Sequence, residues 1–136
     1  MAVGPVLWAL LVAGAAAVAM PGGLFPVSVR DPGVLNATRV AEEAFNRLSN
    51  ELHYSAVAEV VSAQTQVVEG LLYHIRVVLR STTCKKSRSL RNGFQNCRFL
   101  NDPRYAKKRI CDFKVWSRPW RKLIQVTSQN CSVVTE

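Results

Sequence analysis

The stretch Gln64–Arg80, "QTQVVEGLLYHIRVVLR", places an apolar pair, Val67-Val68, where the chain turns, and then alternates. Tyr73, Ile75, Val77 and Leu79 fall on one face of an extended chain, and His74, Arg76 and Arg80 on the other, since successive strand side chains point to opposite faces. This alternation reads as a half-buried antiparallel strand returning from a hairpin. The tip is unusual. Turns favour Asn, Asp or Gly, so two valines there need a core or a partner to cover them.

The same reading extends in both directions. Residues from about Val57 to Val67 form the strand entering the tip. A further strand covers about Ile110–Trp116, with Cys111, Phe113 and Val115 alternating against Asp112 and Lys114, and a last one runs from about Leu123 to Thr127. Pro119-Trp120 falls between these two and forms the tip of a second hairpin. Upstream, Asp31-Pro32 supplies an N-cap and a proline suited to a first helical position. Val34, Thr38, Ala41, Phe45 and Leu48 then recur at helical spacing, while Arg39, Glu42, Glu43, Asn46 and Arg47 fall elsewhere around the axis. Asn50 fits the end of that helix as a left-handed cap. The Pro- and Gly-rich stretch before Asp31 is expected to be irregular. One helix followed by successive strands defines an α+β domain, the helix lying across an antiparallel sheet.

The 136 residues suit one compact domain. Residues 1–19 read as a secretory signal peptide: an apolar run from Val6 to Val12, small residues, then Ala17-Val18-Ala19 in the A-x-A cleavage pattern. Residues 20–136 are then the mature domain. The first ionisable side chain is Arg30, so the net charge of +9 belongs to that domain. Basic residues cluster between Lys85 and Arg109, where Asp102 is the only acid. That segment reads as a solvated face rather than a nucleic-acid site, because it lacks aromatics interleaved in a base-stacking pattern. Four cysteines, Cys84, Cys97, Cys111 and Cys131, imply two disulfides in an oxidising compartment, with three pairings open. Sequential pairing closes two short loops without crossing. The spacings are too wide for zinc knuckles.

Catalytic constellations are missing, and no metal site or cofactor is expected. His53 and His74 have no nucleophile partner, and Glu42 and Glu43 are adjacent on a helix and diverge. The chain does not read as an enzyme. It carries two apolar hairpin tips, Val67-Val68 and Trp120, pointing from the same end of the sheet, an arrangement suited to entering a groove.

At these residues the sequence resembles the secreted two-disulfide (type 2) cystatins, inhibitors of papain-like cysteine proteases. The family pentapeptide Q-x-V-x-G stands as Gln66-Val67-Val68-Glu69-Gly70, the Pro-Trp pair as Pro119-Trp120, and the hinge glycine of the N-terminal arm as Gly22 in "PGGLFP". The four cysteines fall in the family's order, which supports the pairing Cys84–Cys97 and Cys111–Cys131. The resemblance covers essentially the whole mature chain.

The resemblance implies a wedge of three parts (arm, first hairpin loop, second hairpin loop) that enters the cleft of cathepsin L-, B-, H- or S-type proteases beside the catalytic cysteine. Inhibition is then competitive, reversible and non-covalent. Pro21 stands where the family often has a larger aliphatic residue, Glu69 puts a negative charge in the wedge, and the Cys84–Cys97 segment is a few residues longer than usual. Some relatives inhibit legumain through a Ser-Asn-Asp loop; here the stretch is Ser49-Asn50-Glu51, so Asn50 has two readings, a helix cap and a legumain contact. Asn36-Ala37-Thr38 is an N-glycosylation sequon, whereas Asn130-Cys131-Ser132 includes a bridged cysteine. The family also implies a monomer able to form a domain-swapped dimer hinged at Val68. No nucleic-acid partner and no membrane span are expected. The localisation is extracellular, with endolysosomal uptake open. A second reading, from the Lys85–Arg109 charge, is a basic heparin- or membrane-binding or antimicrobial protein on the same scaffold.

Overall fold

A computed structural model describes residues 22–87 and 96–134; the expected signal peptide, residues 1–19, lies outside them. The elements are β1 (Leu24–Pro26), α1 (Pro32–Leu48), β2 (His53–Val68), β3 (Gly70–Lys85), β4 (Lys108–Arg118), a 3-10 turn (Pro119–Arg121) and β5 (Leu123–Val133). The five strands form one antiparallel sheet in chain order, β1-β2-β3-β4-β5, and α1 packs on one face. The α+β expectation holds.

The helix starts as its sequence dictates. The Asp31 carboxylate accepts from the Gly33 amide at 2.9 Å, and Pro32 occupies the first turn, where its missing N–H costs nothing. Gly33 is required sterically, because a Cβ there would run into the Tyr73 hydroxyl. The core forms where Val34, Ala37, Ala41 and Phe45 meet Tyr73, Ile75, Val77, Leu79, Phe113 and Val115. Small alanines let the axis approach the sheet, and the strand faces read from alternation are the ones buried.

Several expectations need correction. Leu48 is 72% exposed and outside the core, lining an open groove between α1 and the Ile124–Gln129 stretch of β5. The helix ends at Ser49 in extended conformation, and Asn50 does not adopt a left-handed φ. Leu24–Pro26, expected to be irregular, pairs with Gln66–Gln64 of β2. The last strand continues to Val133, well past Thr127.

Glu42 and Asn46, expected on the outer helix face, work on the sheet instead. β1 covers only the far end of β2's outer edge. Over the remainder, Asn46 donates to the Ser55 carbonyl at 2.8 Å and accepts from the Ser55 amide at 2.7 Å. Glu42 accepts from the Val57 amide at 2.7 Å and from the Tyr54 hydroxyl at 2.9 Å. Two helix side chains thus stand in for a missing strand, satisfying backbone groups that an open edge would leave free. Burial, and then the Glu42 carboxylate, push the Tyr54 phenol far above its ordinary range. Register shifts at His53/Ser55, Val57/Glu59 and Val60/Ser62 bend β2 along this length and increase the local twist.

The disulfides pair sequentially, Cys84–Cys97 and Cys111–Cys131. Cys111 and Cys131 are cross-strand partners in β4 and β5.

Candidate functional site

The antiparallel order brings three segments to one end of the sheet. β2 and β3 meet around Glu69, with Val67 opposite Leu71 and Val68 opposite Gly70. β4 and β5 meet at the Pro119–Arg121 turn. Because Leu71 pairs with Ser117, the two turns are neighbours, and the pairing of Leu24 with Gln66 delivers Gly22 beside them.

Each turn is built by its sequence. Gly70 has φ +90°, which an L side chain rarely adopts, and a Cβ there would meet the Ser117 carbonyl oxygen. Close approach of the loops therefore demands glycine. Gly22 has φ +83°, yet a Cβ would meet nothing within 4 Å, so its requirement is conformational alone. In the second loop, Lys122 closes the turn in the left-handed region at φ 51°, its amide donating to the Pro119 carbonyl at 2.9 Å.

Two side-chain bonds tie the segments together. Gln66 donates from Nε2 to the Gly22 carbonyl at 2.8 Å, and its Oε1 lies 3.1 Å from His74 Nε2. With the amide oriented to donate toward Gly22, the imidazole Nε2–H is the donor to Oε1. Partial burial, and then Lys114, hold His74 below the ordinary imidazole value. Trp116 donates from Nε1 to the Glu69 carbonyl at 2.7 Å, and the Arg118 guanidinium stacks 3.7 Å from the Trp116 ring centroid.

The edge stays apolar and uncovered. Trp120 is 60% exposed, Val67 59% and Val68 38%. Trp120 does not fold back over the core. Glu69 is exposed at the tip between them. Gly22, Gln66, Val67, Val68, Glu69, Gly70, Pro119 and Trp120 therefore share one end of the fold.

Sequence reasoning gave no site role to Trp116, Arg118 or His74. Trp116 lies on the outward parity of β4, beside Lys114 and Asp112, where a large indole has no core to fill; that mismatch was the available signal. Asn50 sits apart from this edge, exposed in the loop after α1. Ser49 accepts from the Glu51 amide at 2.9 Å, and Lys86 donates to the Asn46 and Ser49 carbonyls at 3.1 and 2.8 Å. Glu51 is held by Lys107 at 2.8 Å and Arg109 at 2.7 Å. Asn36 is exposed on α1, its side-chain oxygen accepting from Arg39 at 2.8 Å. All four cysteines are in disulfides, leaving no thiol nucleophile.

The exposed apolar side chains Val67, Val68 and Trp120 are thus grouped on one edge of an α+β fold. The cystatin domain model matches residues 22–120. Cystatin-2 of Crotalus adamanteus is 38% identical over 111 residues, covering 82% of this chain and 79% of the relative. The cystatin of Tropidechis carinatus is 38% identical over 116 residues, covering 83% and 82%. Among solved structures, dimeric human cystatin F matches with a TM-score of 0.77 at 30% identity, covering 87% of this chain and 92% of its own. The chain belongs to the cystatin family, whose members are in general cysteine protease inhibitors and not enzymes.

Proposed function

We propose that this chain is a secreted, reversible, competitive, tight-binding inhibitor of papain-like cysteine proteases of the cathepsin L, B, H and S type. The observation that carries the reading is the convergence of Gly22, Val67-Val68 and the 60% exposed Trp120 on one sheet end. Docking such an edge excludes water from apolar surface and needs no bond to the protease. The turns are held by glycine geometry and by the bonds from Gln66 and Trp116, so little conformational entropy is lost on binding. Trp120 is the anchor, as large aromatics carry much of the energy of tight interfaces. Glu69, at the tip, biases the choice of target.

Inhibition of papain and of a cathepsin L-type protease by folded monomer tests this directly. The expected result is competitive inhibition, weakened about 30-fold or more by Trp120→Ala, the ~2 kcal/mol of an interface hot spot. No inhibition at micromolar concentration would sink the reading.

The remaining assignments belong to the same proposal. Residues 1–19 are removed on secretion, leaving 20–136, which N-terminal sequencing of secreted protein checks. Asn36 carries an N-glycan; its exposure on α1 supports access, and a mass shift lost in Asn36→Gln tests it. Asn50 contacts legumain as a second, independent site, supported by its exposure in a loop pinned by Lys86 and Glu51. Asn50→Ala should abolish legumain inhibition and spare papain inhibition. The monomer opens at Val68 to a domain-swapped dimer that loses papain inhibition, which size-exclusion separation of the two forms would reveal.

A further inference from the structure

At the end of the sheet away from the Val67–Trp120 edge, the basic segment is arranged as a site. Arg80 and Lys108 are direct cross-strand partners. Side chains so placed have Cβ atoms about 5 Å apart, and like charges there repel. Together with Lys107 and the Asn101 amide they line one cavity, whose other walls include Leu100 and Val134. No acid lines it. Glu51 is engaged by Lys107 and Arg109, and Asp102 by Arg104. Arg80 and Lys108 therefore have no acidic partner among the described residues, and Lys85 and Arg98 stand exposed nearby, equally without one.

We propose that this cavity binds the sulfate ester groups of an extended sulfated polysaccharide, with Arg80 and Lys108 as the principal contacts. A tetrahedral oxyanion between the two would convert their repulsion into two charge-assisted contacts. Phe94, Phe99 and Tyr105 are the aromatics of the segment, and the Arg80 and Arg104 guanidiniums lie 4.5 and 5.4 Å from the Phe99 and Tyr105 ring centroids. Arg80 is ten residues along β3 from Gly70, roughly 33 Å at ~3.3 Å per residue, so a bound glycan leaves the opposite edge free.

Heparin serves as the probe, in calorimetry over a salt series, with unfolding curves run on each variant. Arg80→Ser/Lys108→Ser should weaken heparin binding about tenfold or more and flatten the log–log salt slope by about two, near one unit for each cation removed. Lys108→Ser alone, at an exposed position, should give about half of each effect and keeps the test open if the double variant does not fold. Arg30→Ser/Arg47→Ser removes the same charge from two other exposed positions and should leave affinity within about twofold. Equal losses in both double variants would mean net charge alone and overturn the site. Binding of inorganic sulfate or of phosphatidylserine vesicles without heparin binding would overturn the polysaccharide as its ligand.

Discussion

The indole of Trp116 donates to the Glu69 carbonyl at 2.7 Å, so β4 fixes the tip of the β2–β3 hairpin from outside that hairpin. The two loops of the edge are one unit because of it. Val67 and Val68 are thereby held out toward solvent by a bond that no local turn propensity supplies.

Replacing Trp116 with Phe keeps an aromatic surface for Arg118 and removes the donor. The expected cost is about 1 kcal/mol, the net worth of one hydrogen bond, felt at the tip more than in the core. Papain inhibition should weaken severalfold through faster dissociation, with the unfolding midpoint moving only a few degrees. Stopped-flow dissociation rates beside a thermal melt would check the split, and an unchanged dissociation rate would count against a coupled edge.

Gly70 is more constrained. Alanine there must hold φ near +90° and place its Cβ against the Ser117 carbonyl. The left-handed backbone alone costs about 1–2 kcal/mol, and the steric conflict adds to it by prising the two loops apart. Gly70→Ala should lose at least tenfold in inhibition and be measurably less stable to urea. Gly22→Ala, which meets nothing, should cost only the backbone term.

The fold was largely legible because its strands alternate cleanly: Tyr73 to Leu79 and Cys111 to Val115 are apolar at every second position and buried as read. The site residues were legible through the quoted motif residues, whose turns the sheet does bring together. What escaped the sequence is where polarity misleads. Glu42 and Asn46 are polar, so helical periodicity assigns them to water, yet they serve a strand edge whose exposure depends on β1 being only three residues long. Leu48 failed in the opposite direction, since periodicity carries no information on which side chains of the stripe the sheet closes over and which it leaves in an open groove beside β5. The Trp116–Glu69 bond depends on register across 47 residues and leaves no local trace.

The edge role of Asn46 predicts a large stability effect far from any binding surface. Asn46→Ala would orphan both the amide and carbonyl of Ser55, groups that cost about 1–3 kcal/mol each when buried without a partner. A loss of about 2–4 kcal/mol in urea denaturation is expected, or ~10 °C or more in Tm for a domain of this size. Papain inhibition by the fraction that remains folded should be unchanged. A loss below 0.5 kcal/mol (roughly the scale of a neutral surface change) would contradict the edge role.

Glu51 links the basic segment to the loop that carries Asn50, and its effect depends on pH. The hydrogen bond from Lys107, seconded by Arg109, holds its carboxyl below the ordinary glutamate value of 4.5 despite partial burial. A carboxyl depressed in the folded state contributes stability that is fully present above the unfolded pKa and is lost as pH falls through the folded one. Glu51→Gln should therefore be less stable than the parent chain at pH 7, by no more than about 1 kcal/mol for so exposed a pair. The difference should close as the pH falls below 4.5 and through the lowered carboxyl pKa of the folded state. Urea melts of both proteins across that range would show it, and a gap that widens in acid would reverse the assignment. The same substitution frees Lys107 beside Lys108 and Arg80, so heparin binding should strengthen as the stability at neutral pH declines.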